Sequence, residues 1–269
     1  MSIAERIGSV VDVATNLCFL GWTLFDSGRI DEARQELERA VLMVRPAEPS
    51  WLTVAVPMHA GWIHLEAGEW GRAAQYLEEG LRGAERLGDN DRLLWGYGGL
   101  AWVQVFQGAT YGALAYETVV PGLDCTRPGA AWLLAPLALA HLQEGNLAQA
   151  ERRAAQAAAM CTDADLDTRI QVRRVQALMA AQRGRNEDAM RTLGELLSTA
   201  REMFRLWEAA TVLETTATVQ KLAGNLQAAE SSVREALATY QRLGAEGHEK
   251  RVTDLLREIL AAAPQAGSV

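Results

Sequence analysis

Leu17, Leu20 and Leu24 recur at helical spacing, and Leu37, Ala40 and Val41 do so again after a break. Residues three and four apart share one face of a helix, so each run is an apolar stripe that must be buried. No segment sustains the period-two alternation of a half-buried strand. Between the two stripes stands Gly28, and it is the first of six: Gly28, Gly68, Gly108, Gly145, Gly184 and Gly224, spaced by 40, 40, 37, 39 and 40 residues. A fixed period of this size is the signature of stacked supersecondary units.

The columns around the glycines say what the unit is. Five residues after each stands an alanine: Ala33, Ala73, Ala113, Ala150, Ala189 and Ala229. Seven residues before stands a small residue: Gly21, Gly61, Ala101, Ala138, Ala177 and Ala217. Small residues at matching places let two helix backbones approach closely, and the glycine ends the first helix in a left-handed cap that turns the chain back. The expected architecture is all-α, with two helices per unit at about 10–47, 49–88, 90–127, 128–164, 166–203 and 205–243. Over 246–262 the stripe Val252, Leu255, Leu256, Ile259 and Leu260 predicts a capping helix on the last hairpin, leaving 264–269 as a flexible tail. Residues 1–263 are expected to form a single domain.

These columns resemble the tetratricopeptide repeat family, most closely at Leu20-Gly21 with Gly28 and Ala33, and next at Gly61 with Gly68 and Ala73. The resemblance covers about residues 10–243 and implies a right-handed α-solenoid of six hairpins. Two features depart from it: the units run near 40 residues against the family's roughly 34, and few carry its terminal proline. The longer helices, with linkers such as Arg86-Leu-Gly-Asp and Arg242-Leu-Gly-Ala, are similar to the C-terminal sensor arms of MalT-like and SARP-type bacterial transcriptional regulators.

Repeat 3 is the weakest unit. Glu117 stands where its neighbours have Leu37 and Leu77, and Pro121 stops the second helix early because proline lacks the helical N–H. The breaker cluster 121–129 is either a hinge with three repeats on each side or a tolerated irregular loop.

In the family the first helix of each pair lines the concave side. The resemblance places the offsets thirteen, ten, six and three before the glycine on that wall, and their spacing of three, four and three puts them on one helix face. Six before gives Trp22, Trp62, Trp102, Leu139, Leu178 and Thr218; ten before gives Cys18, Met58, Gly98, Ala135, Arg174 and Glu214. Thirteen before adds Trp95 and Trp132, and three before adds Phe25, Leu65 and Lys221. Four repeats thus present an aromatic wall, with Gly98 leaving a recess and Asp26 and Glu66 at the rim, while the last two present a polar end marked by Arg174 and Lys221. The wall reads either as a hydrophobic binding groove or as side chains packed on one another. If it is a groove, Trp62→Ala removes binding with little change in helicity; if it is packing, the melting temperature falls.

Net charge is −8 with 26 basic and 34 acidic side chains, which argues against a grip on nucleic-acid phosphates. The longest apolar run, Ala130 to Leu142, contains Pro136 and is too short to cross a bilayer. Cys18, Cys125 and Cys161 fit neither a disulfide framework nor a metal site, so a reducing cytoplasm is expected. Among His59, His64, His141 and His248 no catalytic or metal-binding spacing occurs, and Cys18 among aromatic neighbours is expected to have a raised pKa. The expected function is a non-catalytic binding module without cofactor or metal, taking a protein or peptide partner or a hydrophobic small molecule. The alternative is a scaffold or homodimer that uses its convex face or capping helix.

Overall fold

A computed structural model describes residues 10–162 and 165–262; the expected tail at 264–269 lies outside them. Among the described residues there are thirteen α-helices and no strand. They fall into two compact units, residues 1–162 and 163–269.

The first unit holds four hairpins. These are α1 (Val10–Asp26) with α2 (Ile30–Val44), α3 (Trp51–Glu66) with α4 (Trp70–Leu87), α5 (Asn90–Phe106) with α6 (Thr110–Leu114), and α7 (Ala130–Gln143) with α8 (Leu147–Met160). The second holds α9 (Leu166–Gln182) with α10 (Asn186–Glu202), α11 (Leu206–Leu222) with α12 (Leu226–Leu243), and the capping helix α13 (Glu246–Ala262) on α12.

All six frame glycines have positive φ, between 73° and 79°, and their turns close by the same pair of backbone bonds. In the first turn Gly28 N–H donates to Phe25 O and Arg29 N–H to Leu24 O, each at 2.8 Å. Twenty residues after a frame glycine, Gly88 and Gly244 repeat this left-handed cap at the ends of α4 and α12. Phe204, twenty residues after Gly184, takes the same conformation at φ 56° without the freedom of a glycine. An L-residue pays roughly 1–2 kcal/mol for that backbone.

The small-residue columns pack as expected. A Cβ on Gly21 would lie 2.7 Å from Leu37 Cγ, and one on Gly61 2.7 Å from Leu77 Cγ, so each bulky leucine of the second helix fills the space left on the first. The six alanines five after the glycine are fully buried.

Repeat 3 is irregular in the way its sequence indicates. Helix α6 lasts five residues and gives way to 3-10 turns at Ala115–Thr118 and Val120–Gly122. Glu117, standing in the leucine column, is half-buried and accepts from His141 Nε2 at 3.0 Å and from Arg153 Nε at 2.9 Å. Between these partners its pKa is held below the usual carboxylate value, against the opposing effect of burial. The breaker cluster at 121–129 lies inside the first unit, so the division of the chain into two units does not fall there. The reason is direct packing across it: a Cβ on Gly98 of α5 would lie 2.6 Å from the carbonyl oxygen of Trp132 on α7.

Candidate functional site

The first helices α1, α3, α5 and α7 bring most of the expected wall together in the first unit. Its central element is an aromatic ladder. Trp22 Nε1 on α1 donates to His59 Nδ1 on α3 at 2.7 Å, with the two rings edge-on. His59 then meets Trp95 of α5 edge-on at 4.9 Å. Trp95 stacks on Trp62 of α3 at 5.8 Å and 13°, and Trp62 meets Trp132 of α7 edge-on at 4.8 Å. Both arrangements are favoured by the aromatic quadrupole. Arg92, one turn before Trp95, lies over that indole with Cζ 5.3 Å from its centroid.

The ladder fixes the state of His59. Burial, and secondarily the Arg92 charge, push its pKa down to about 4, so the ring is neutral at physiological pH. Because Nδ1 accepts the Trp22 bond, its proton sits on Nε2.

In depth the wall is closed. Trp62 and Trp102 are each 3% exposed, and Cys18, Phe25, Met58, Leu65 and Leu139 are buried too. Trp22, Trp95 and Trp132 are half-buried and give the wall its accessible aromatic surface. Burial drives the Cys18 thiol up to about 12, so it is a small apolar residue and not a nucleophile.

Three expectations need correction. Gly98 leaves no recess, because the Trp132–Leu133 backbone of α7 occupies the space that a side chain would take. Trp102 is no rung of the ladder: it stacks on Phe106 of its own helix at 5.2 Å. Glu66 is buried, not at an exposed rim. The side chain of Asp26 lies outside the described residues.

At the polar end, in the second unit, Lys221 is already engaged, with Nζ 2.7 Å from Glu258 Oε2 of α13. Arg174 is buried, donating from Nε to Thr215 Oγ1 at 2.9 Å and from Nη1 to Gln171 Oε1. His59 and Arg92 were not among the candidate site residues. The available signal was helical spacing, for each stands three residues before a wall position, Trp62 and Trp95, whereas Gln171 itself stands on the wall, thirteen residues before Gly184.

The chain is similar over 92% of its length to a chain of the APC/C hetero-tetramer Cut9-Hcn1, at 17% identity and a TM-score of 0.58, and it spans 42% of that chain. It is similar over 91% of its length to a Rap protein complexed with Competence and Sporulation Factor, at 12% identity and a TM-score of 0.55, spanning 73% of that chain. A tetratricopeptide repeat protein from Parabacteroides merdae matches 95% of both chains at 18% identity and a TM-score of 0.46. The chain is an all-α solenoid of tetratricopeptide-like hairpins. At these identities the likeness shows the fold alone. No protein-family model and no curated protein matches the sequence of this solenoid.

Among the described residues no group of three His, Cys, Asp or Glu could hold a metal ion, and no helix is long and apolar enough to cross a membrane.

Proposed function

We propose that the solenoid is a non-catalytic binding module whose first unit holds an extended apolar segment of a protein or peptide partner. The observation that carries this is the ladder itself. Trp22, Trp95 and Trp132 keep part of their surface open on a wall whose deeper residues are rigidly packed, so the aromatic edges are pre-organised. Tryptophan supplies a large share of interface energy where it anchors a partner. Partner binding accords with the description of the Rap protein as complexed with Competence and Sporulation Factor.

The finer reading is a peptide- or ligand-sensing arm of a bacterial, cytoplasmic transcriptional regulator, in which residues 1–263 respond as one domain. A single cooperative unfolding transition in the full chain supports that unity, and two separate transitions contradict it. A hydrophobic small molecule on the same aromatic edges is the competing occupant. Exposed Phe19 and Leu20 on α1 favour a second reading, self-association through the first hairpin.

The test is a titration of tryptophan emission with a panel of uncharged nine-residue peptides rich in Leu and Phe, against Ser-rich peptides of equal length. A saturable shift confined to the apolar peptides, lost in Trp132→Ala with helicity intact, supports the proposal. Equal response to both sets, or an unchanged response in the variant, overturns it.

A further inference from the structure

The second unit contains a buried positive charge, Arg174, for which no carboxylate partner is found among the described residues. Arg174 on α9 is 6% exposed, and both of its acceptors, Thr215 Oγ1 and Gln171 Oε1, are neutral. Among the described residues no carboxylate pairs with it. Its pKa is lowered by burial to about 10, which still leaves it charged at neutral pH. Glu214 on α11, next in sequence to Thr215, is committed to α13: it accepts from both Nη atoms of Arg251, and from the Tyr240 hydroxyl at 3.4 Å. Arg251 also feels the Arg174 charge, which helps burial to lower its pKa to about 9.

A second observation points to the same place. Gln171 is 5% exposed, and with Oε1 turned to Arg174 its Nε2 has no acceptor among the described residues. A buried donor without a partner is costly and uncommon, and so is a buried charge without a counter-ion. Here the two sit one helical turn apart on one face of α9, locked together by the Arg174–Gln171 bond.

We propose that Arg174 and Gln171 form a receptor for a carboxylate on the first-helix wall of the second unit. One carboxylate oxygen takes a guanidinium N–H and the other the free amide N–H, which satisfies the stranded donor and cancels the charge. The single charge of Arg174 suits a monoanion. A phosphate dianion would exceed that single charge. This site does not depend on the aromatic wall, which belongs to the first unit. An acidic side chain or free C-terminus of a peptide and a small free carboxylate offer the same chemistry, and the arms of the test separate them.

The test uses the full chain. Melting temperature is measured in sodium acetate, sodium phosphate and sodium chloride at equal ionic strength, and binding of acetyl-tetra-alanine is compared with that of its C-terminal amide. Acetate is expected to raise the melting temperature above the chloride value, and above the phosphate value. The gain should vanish in Arg174→Gln and Gln171→Leu and persist in Arg173→Gln, whose exposed guanidinium pairs with Glu195 at 2.8 Å. Gln171→Leu keeps every charge in place, so it carries the test if Arg174→Gln does not fold. A peptide acid that binds at least about tenfold tighter than acetate identifies a peptide source, and equal binding identifies a small carboxylate. Acetate indistinguishable from chloride, a larger gain with phosphate, or an undiminished gain in Gln171→Leu overturns the proposal.

Discussion

Trp62 is expected to report on packing more than on binding, and Trp62→Ala measures that. The indole lies between Trp95 and Trp132 and is 3% exposed. Such a side chain withdraws roughly 200 Å² from water, worth about 5 kcal/mol at ~25 cal/mol per Å². Its Nε1 has no acceptor among the described residues, and the desolvation of that N–H offsets about 1–2 kcal/mol. A net loss of about 3 kcal/mol remains, which for a chain of this size lowers the melting temperature by about 6–12 °C. Trp62→Phe keeps an aromatic ring in the slot and removes the unsatisfied N–H, so it should stay within about 1 kcal/mol of the parent. Thermal unfolding followed by circular dichroism at 222 nm reads both variants. A shift below about 2 °C for Trp62→Ala would refute the packed wall.

Gly98→Ala, which drives a methyl group into the Trp132 carbonyl, should destabilise by about 1–3 kcal/mol in urea unfolding. Gly194→Ala, on open surface of α10, should instead stabilise by about 0.5–1 kcal/mol; equal effects would contradict the close approach of α5 and α7. Phe204→Gly relieves the left-handed backbone at a residue 78% exposed, and a gain of about 0.5–1 kcal/mol is expected after glycine's own entropy cost; a loss would show that the ring is held by contacts. Burial, followed by the Asp167 charge, raises the pKa of Glu208 to about 8, so the folded chain holds a proton that the unfolded chain releases near pH 4. That contribution to stability is full below about pH 4 and is lost as pH rises through about 8, so Glu208→Gln should flatten the decline in stability between pH 5 and pH 8. An identical slope in the variant would exclude Glu208 as its source.

The hairpin frame was legible because it rests on positions where one atom too many is intolerable. Gly21, Gly61 and the fully buried alanines mark close helix approach, and left-handed glycines mark the turns. Such constraints act within a repeat and so recur at a fixed offset. The wall was harder to read because its contacts run between repeats. Trp62 meets Trp95 and Trp132, drawn from another column, whereas Trp102 in its own column turns to Phe106. A missing side chain is ambiguous in sequence: Gly98 suggested a recess and supplies a backbone contact. Glu117 was visible as a polar intruder in the leucine column, but its partner Arg153 stands 36 residues away on another hairpin. The breakers at 121–129 marked irregular backbone correctly. They did not mark where packing weakens, which depends on side chains outside the loop.

The central claim is that Trp22, Trp95 and Trp132 form the binding edge of the first unit. The most direct measurement is the set of indole N–H resonances from the eight tryptophans, assigned by single substitution and followed during titration with an apolar nine-residue peptide. Saturable shifts are expected at Trp22, Trp95 and Trp132, with Trp51 on exposed surface and Trp102 in the core unmoved. Shifts centred on Trp51, or none at the three wall residues, would contradict it.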